Sequence, residues 1–300
     1  MKLVQTALVG LAGVFFAATT NATTFYIDQF QITRDQDNKP GTIQPWFVDN
    51  FDDGIAPPSS EGTFPNGTTG SYLTVPDPMP GPEENGKLRL DTAQGFARFG
   101  SVSGDPILIQ RARLATNTSN EVGDLYRGLK DTQVFEVTGT FDLIEPTIDL
   151  EYYGVRLTDF SGPSPNDNVE LRVIRTASGE WEVQFVKADF DLGVFNIIDS
   201  VLLSDITGVG DYEQIALTLT KSSGNDKLIS AAFELIDLGG ANSLQISLDG
   251  TAGIFDGERW TQAAFFAIVP RTVPIPATLF LMGLGMLGFR CQRLKQTKLA

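Results

Sequence analysis

Between its two ends the chain is predicted to be all-β, an antiparallel two-sheet β-sandwich, and three observations carry that prediction. The first is alternation. In Phe135, Val137, Gly139, Phe141 and Leu143 the odd positions are apolar or small, while Glu136, Thr138, Thr140 and Asp142 are polar, the pattern of a half-buried strand. The second is punctuation by turn residues, at Ser161–Asn166, Ser178-Gly179, Gly208–Gly210, Ser222–Asp226 and Asp237–Asn242. The third is that no long segment of the body repeats its apolar residues every 3.6 positions. About a dozen strands at hairpin spacing point to a sandwich or jelly roll.

The elements follow in order. Phe25-Tyr26-Ile27 opens the body, which is taken as residues 23–270. Residues 55–86 hold seven of the chain's 16 prolines among many Gly, Ser and Thr, which predicts one long irregular loop. After the strand at 135–143 come alternating runs at Val169-Leu171-Val173, Trp181-Val183-Phe185, Ile215-Leu217-Leu219, Ile229-Ala231-Phe233-Leu235 and Leu244-Ile246-Leu248. Phe265-Phe266-Ala267-Ile268 closes the body, in a fold whose end strands are expected to lie together. No repeat of fixed period is present, which argues against a solenoid or propeller.

The two ends read as addresses. Residues 1–22 have a positive start at Lys2, an apolar stretch from Leu3 to Ala18 and small residues at Thr20-Asn21-Ala22, the pattern of a secretory signal helix cut after Ala22 by signal peptidase. At the other end, Val273-Pro274-Ile275-Pro276-Ala277 leads into an apolar run from Ala277 to Phe289, then Arg290, Arg293, Lys295 and Lys298. Thirteen residues make about 20 Å of helix against roughly 30 Å of hydrocarbon, a marginal span alone. The cations behind it, with no acidic residue after Glu258, hold such a tail on the cytoplasmic side of the inner membrane.

Residues 271–300 resemble a PEP-CTERM sorting signal of Gram-negative bacteria: a Val-Pro-x-Pro motif, a glycine-punctuated apolar helix and a basic tail. The family's usual glutamate between the prolines is Ile275 here. The resemblance implies an exosortase substrate, exported, transiently anchored in the inner membrane, then released to the cell surface or extracellular matrix. It covers only the tail and implies no chemistry for the body. The body in turn resembles concanavalin A-like and jelly-roll domains, a likeness of fold that leaves function open. Gly283, Gly285 and Gly288 spell GxGxxG, but no βαβ unit precedes them and no acidic residue follows, so no dinucleotide site is read there.

Composition excludes much chemistry. The 300 residues contain no histidine, so imidazole-based triads, dyads and zinc sites are absent. The one cysteine, Cys291, sits in the basic tail and has no disulfide partner in the chain. Net charge is −15; setting aside Lys2 and the four tail cations leaves 17 basic against 37 acidic residues, a body of −20. Such a surface repels phosphate backbones, so nucleic acid is not an expected partner.

Candidate sites in the body are few. Thr147-Ile148-Asp149-Leu150-Glu151 resembles the strand-borne Glu-x-Asp-x-Glu of laminarinase-like glycoside hydrolases, in which alternation sends three carboxylates into one cleft. Thr147 stands where the first carboxylate belongs, and Glu145 is displaced by two residues. No catalytic residue is therefore assigned, and the chain is read as non-enzymatic. Oxygen ligands for a structural Ca²⁺ are sought at Asp35, Asp37, Asp52 and Asp53, with Asn166-Asp167-Asn168 as a third oxygen-rich loop; none of these completes an EF-hand. Tyr152, Tyr153 and Trp46 are candidate platforms for sugar rings, the adjacent tyrosines facing opposite sides of one strand. The expectation is an envelope- or exopolysaccharide-associated protein, structural or carbohydrate-binding, with a polysaccharide-active enzyme or a protein-binding adhesin as alternatives.

Overall fold

The computed structural model describes residues 23–36, 39–52, 62–63, 69–74, 83–91, 96–98, 107–115, 129–159, 167–189, 194–239, 242–254 and 260–270. Both predicted terminal helices, the Val273–Ala277 motif and Arg290, Arg293, Lys295 and Lys298 lie outside the described residues. Eighteen strands are described. The first nine are β1 (Thr24–Gln36), β2 (Lys39–Asp49), β3 (Gly62–Thr63), β4 (Thr69–Thr74), β5 (Leu88–Asp91), β6 (Phe96–Arg98), β7 (Ile107–Ala115), β8 (Leu129–Lys130) and β9 (Phe135–Asp142). The rest are β10 (Tyr152–Asp159), β11 (Asp167–Arg175), β12 (Trp181–Asp189), β13 (Val194–Leu202), β14 (Gln214–Lys221), β15 (Leu228–Ile236), β16 (Ser243–Ser247), β17 (Ala252–Gly253) and β18 (Trp260–Pro270).

An alternating strand buries one face, so two sheets must meet to form a core. All pairings are antiparallel. The first sheet runs β3–β2–β1–β9–β14–β15–β16, with β5 beside the start of β1 and β17 beside the start of β15. The second runs β13–β12–β11–β10–β18–β7, with β8 also beside β18 and with β4 and β6 along the far edge of β7. Strand β4 pairs with β3 of one sheet and β7 of the other, so the ladder turns a corner there. On the opposite flank, β13 and β16 end their sheets without pairing to each other among the described residues.

The alternation works as the sequence predicts. Phe135, Val137 and Phe141 of β9 and Ile215, Leu217 and Leu219 of β14 are buried in register with one another. Strand β1 changes phase: Phe25 and Ile27 point inward, then Phe30 and Ile32 do. Asp28 is the extra residue, since Ile27 pairs with Phe141 and Gln29 with Thr140, and this bulge keeps both apolar sets in the core. From the second sheet, Tyr153, Val155, Leu157, Val169, Leu171, Val173, Val183 and Phe185 complete the layer.

Three features of the fold go beyond the sequence pattern. The segment 55–86 holds two strands, β3 and β4, where one loop is predicted; Thr69–Thr74 is a proline-free window in which Thr69, Tyr72 and Thr74 suit a pleated surface. The end strands do lie together, but through the core and not by hydrogen bonds, with the Phe30 and Phe265 rings edge to face at 5.3 Å. Finally, β10, β11 and β12 are buried on both faces along their middle stretches. Their outer residues Arg156, Thr158, Asn168, Glu170, Arg172 and Gln184 are covered as fully as their inner ones.

Candidate functional site

The glycosidase-like residues do not share a strand. Residues 143–151 form a turn before β10, with Leu150 held at φ 64° in the left-handed region. Glu151 is fully buried, and its carboxylate collects four donors: Thr23 N at 2.9 Å, Thr23 Oγ1 at 2.6 Å, Thr147 N at 3.0 Å and Ile148 N at 3.2 Å. Thr147 thus works as part of the turn that caps Glu151, its hydroxyl 2.7 Å from that of Thr23. Asp149 points the other way, into solvent, and accepts from Arg175 Nε at 3.2 Å, while Arg175 Nη1 donates to Glu145 at 2.7 Å. One carboxylate closes a turn from inside and two sit on an exposed arginine clamp; no pair of them flanks a common cleft.

The tyrosines divide as alternation requires. Tyr153 lies in the core with its ring 4.5 Å from Phe25 and 5.3 Å from Phe141, which leaves neither face to a sugar. Its hydroxyl donates to Asp142 O and accepts from Ile144 N, both at 3.4 Å, and burial pushes the phenol well above its ordinary pKa. Tyr152 stands on the outer face of the second sheet, partly covered. Trp46 is half-buried, packed against the core, and the Arg34 guanidinium lies 4.2 Å over its ring.

Around Tyr152 the outer face carries a polar cluster that the sequence reading did not single out. Register places Arg156 opposite Glu170 and Arg172 opposite Gln184. Glu170, fully buried, meets Arg156 Nη2 at 2.5 Å and Arg172 Nη1 at 3.4 Å. Gln184 Oε1 accepts from Arg172 Nε at 3.1 Å and Nη2 at 2.8 Å. Each guanidinium also lies 4.5 Å over an aromatic ring, Arg156 over Phe266 and Arg172 over Tyr152, and the two rings meet edge to face at 5.7 Å. Burial, then the charge of Glu170, raises the Tyr152 pKa against the pull of the arginines. The signal was present as Glu170-x-Arg172 on one strand face, with an opposite charge available at Arg156; reading it needs the hairpin register.

The acidic loops are dispersed. Asp35 is buried and tied to Val134, accepting from Val134 N at 3.2 Å and donating its own N–H to Val134 O at 3.0 Å. Asp52 is exposed beyond the other end of the β1–β2 pair. Phe30 pairs with Asp49 and Asp35 with Ile43, so the two lie at least about 17 Å apart along the hairpin and do not fit a single ion. Between them Asp49 accepts from Phe51 N at 2.9 Å, an Asx turn that sets Phe51 at φ 52° and buries its ring against Phe265. Asp37 and Asp53 lie outside the described residues, as does Asn166; Asn168 is buried within β11. Among the described residues no three acidic side chains gather as a metal site would require.

Lys221 is the remaining buried charge. It follows Ile215, Leu217 and Leu219 in phase, so its stem points inward and its ammonium donates to the carbonyls of Gln133, at 3.0 Å, and Ser223. Burial lowers its pKa, and the carboxylates of Asp226, Asp131 and Asp35 push it back up. No protein-family description, curated protein or solved structure matches the chain.

Proposed function

We propose that the chain is an exported envelope or exopolysaccharide-matrix protein that works by binding and not by turnover. In this reading signal peptidase removes residues 1–22, and an exosortase-type enzyme processes the tail at Val273–Ala277 after Arg290, Arg293, Lys295 and Lys298 have held it at the inner membrane. The observation that carries the non-enzymatic part is the engagement of Glu151. Glu151 is fully buried and committed to four protein donors inside a turn, which turns it away from any substrate, and its companion Asp149 is bound to Arg175.

The test is retention of the protein, purified from its own cell surface, on the host's exopolysaccharide, with Ca²⁺ and with chelator. Retention without hydrolysis is expected. Loss of retention in chelator would bring the oxygen-rich loops at Asp37, Asp52 and Asp53 into the site. Release of reducing ends, abolished in Glu151→Gln, would sink the binding reading in favour of a glycosidase.

A second reading, a protein-binding adhesin, draws on β13. This terminal strand exposes Val194, Phe195 and Ile197, a short apolar edge of the kind that accepts another chain's strand. Failure to bind polysaccharide, together with capture of a protein partner lost in Ile197→Lys, would select it.

A further inference from the structure

The buried carboxylate of Glu151 spends two of its four hydrogen bonds on a single residue at the start of the described body. Thr23 offers it both its main-chain nitrogen, at 2.9 Å from Oε1, and its hydroxyl, at 2.6 Å from Oε2. The Thr23 hydroxyl also accepts from Thr147 N at 3.1 Å, so the turn at 147–151 and residue 23 are sewn together across the sequence. Strand β1 starts at the next residue. Thr23 is therefore held at a fixed point, with its nitrogen aimed at a full negative charge.

We propose that the Ala22–Thr23 bond is a processing site and that Glu151 is the receptor for the amino terminus released there. The inference rests on the export reading above and adds what the cut does to the fold. In the hydrolysis, water gives its hydroxyl to the Ala22 carbonyl carbon and a hydrogen to the Thr23 nitrogen. That nitrogen leaves the amide, becomes basic and takes up a further proton at neutral pH. A neutral donor 2.9 Å from a buried carboxylate thus becomes an ammonium in the same place. The charge-assisted bond is the stronger one, and it forms where solvent screens it least. The other charged groups at this turn are Arg175, Glu145 and Asp149, and the arginine is already engaged by the two carboxylates. Processing thereby tightens the clasp between β1 and the turn before β10, so that the mature protein is more stable than its precursor.

Two measurements test this. The protein isolated from its host is sequenced from the amino end, and reaction of its α-amine with an acylating reagent is followed against pH. The expected results are a start at Thr23 and an α-amine whose pKa lies at least a unit above the usual value of about 8, which slows acylation roughly fivefold or more at pH 8. Because the folded-state pKa is raised, the mature form's advantage in melting temperature over a form with one extra alanine before Thr23 should be full below about pH 8 and fade as pH rises through the raised value. Glu151→Gln should remove both effects, and the added alanine serves where that variant does not fold. A start at Thr23 with ordinary acylation and no advantage over the extended form would overturn the docking while leaving export intact. A chain that keeps residues 1–22 would overturn both.

Discussion

A methyl group on Gly139 would sit 2.6 Å from Cγ1 of Val155, closer than two carbons can approach, and 2.8 Å from the ring of Phe141. Gly139 is the middle residue of β9, paired with Phe30 on one side and Leu217 on the other, and Val155 faces it from the second sheet. The Val155 side chain of one sheet fills the space left by the missing side chain of the other. Gly139→Ala is expected to destabilise the fold by about 1–3 kcal/mol through overpacking. A urea midpoint that falls with unchanged slope would show this, and an unchanged midpoint would mean that the sheets can part there.

Glu170 separates two arginines on a buried face. Glu170→Gln keeps the shape and removes the charge, leaving Arg156 and Arg172 side by side out of water. The expected loss is about 3–5 kcal/mol, the usual cost of breaking one arm of a buried ionic cluster. Chemical denaturation of the variant measures it; a loss below about 1 kcal/mol would mean that water reaches this face.

Arg175 makes the opposite case. Its partners Glu145 and Asp149 are more than half exposed, and the arginine itself is partly so. Arg175→Ala should cost no more than about 1 kcal/mol, and high salt should erase most of the difference. Melts at two salt concentrations separate this from a structural role for the turn.

Lys221 predicts a pH dependence of known sign. Burial lowers its pKa in the folded protein, so between that lowered value and about 10.5 the unfolded chain binds more protons than the folded one, and stability rises with pH. The stability of the wild type relative to Lys221→Met should therefore climb across that window. Urea titrations from pH 7 to 11 provide the check, and a flat difference would show that the ammonium is paired well enough to keep its proton.

The inward residues were legible because period-two alternation needs no knowledge of neighbours: Phe135, Val137 and Phe141 are read from β9 alone. The phase change at Asp28 was not, since a bulge shows only against a partner strand. Thr147, Asp149 and Glu151 look alike under alternation, yet the chain turns at Leu150 and sends Glu151 inside and Asp149 out. Lys221 is not singled out by the sequence and is a core residue in the fold, because its stem continues the apolar row of β14. Arg156, Glu170 and Arg172 occupy the polar phase of their strands, opposite the apolar residues that line the core. They are buried because two charges of one sign and one of the other meet across β10 and β11, and together they tolerate a dry face that none would tolerate alone.

The corner at β4 gives the sandwich a sewn flank and an unsewn one. Among the described strands, the unsewn flank ends in β13 on one sheet and β16 on the other, and the apolar side chains of Val194, Phe195 and Ile197 stand on it. A body with one such flank can join a second copy edge to edge, and the pair then has no equivalent flank left to offer a third. Lateral growth would stop at two. At high density these molecules would stay as separate units or couples, where a sandwich open on both flanks would knit itself into fibres.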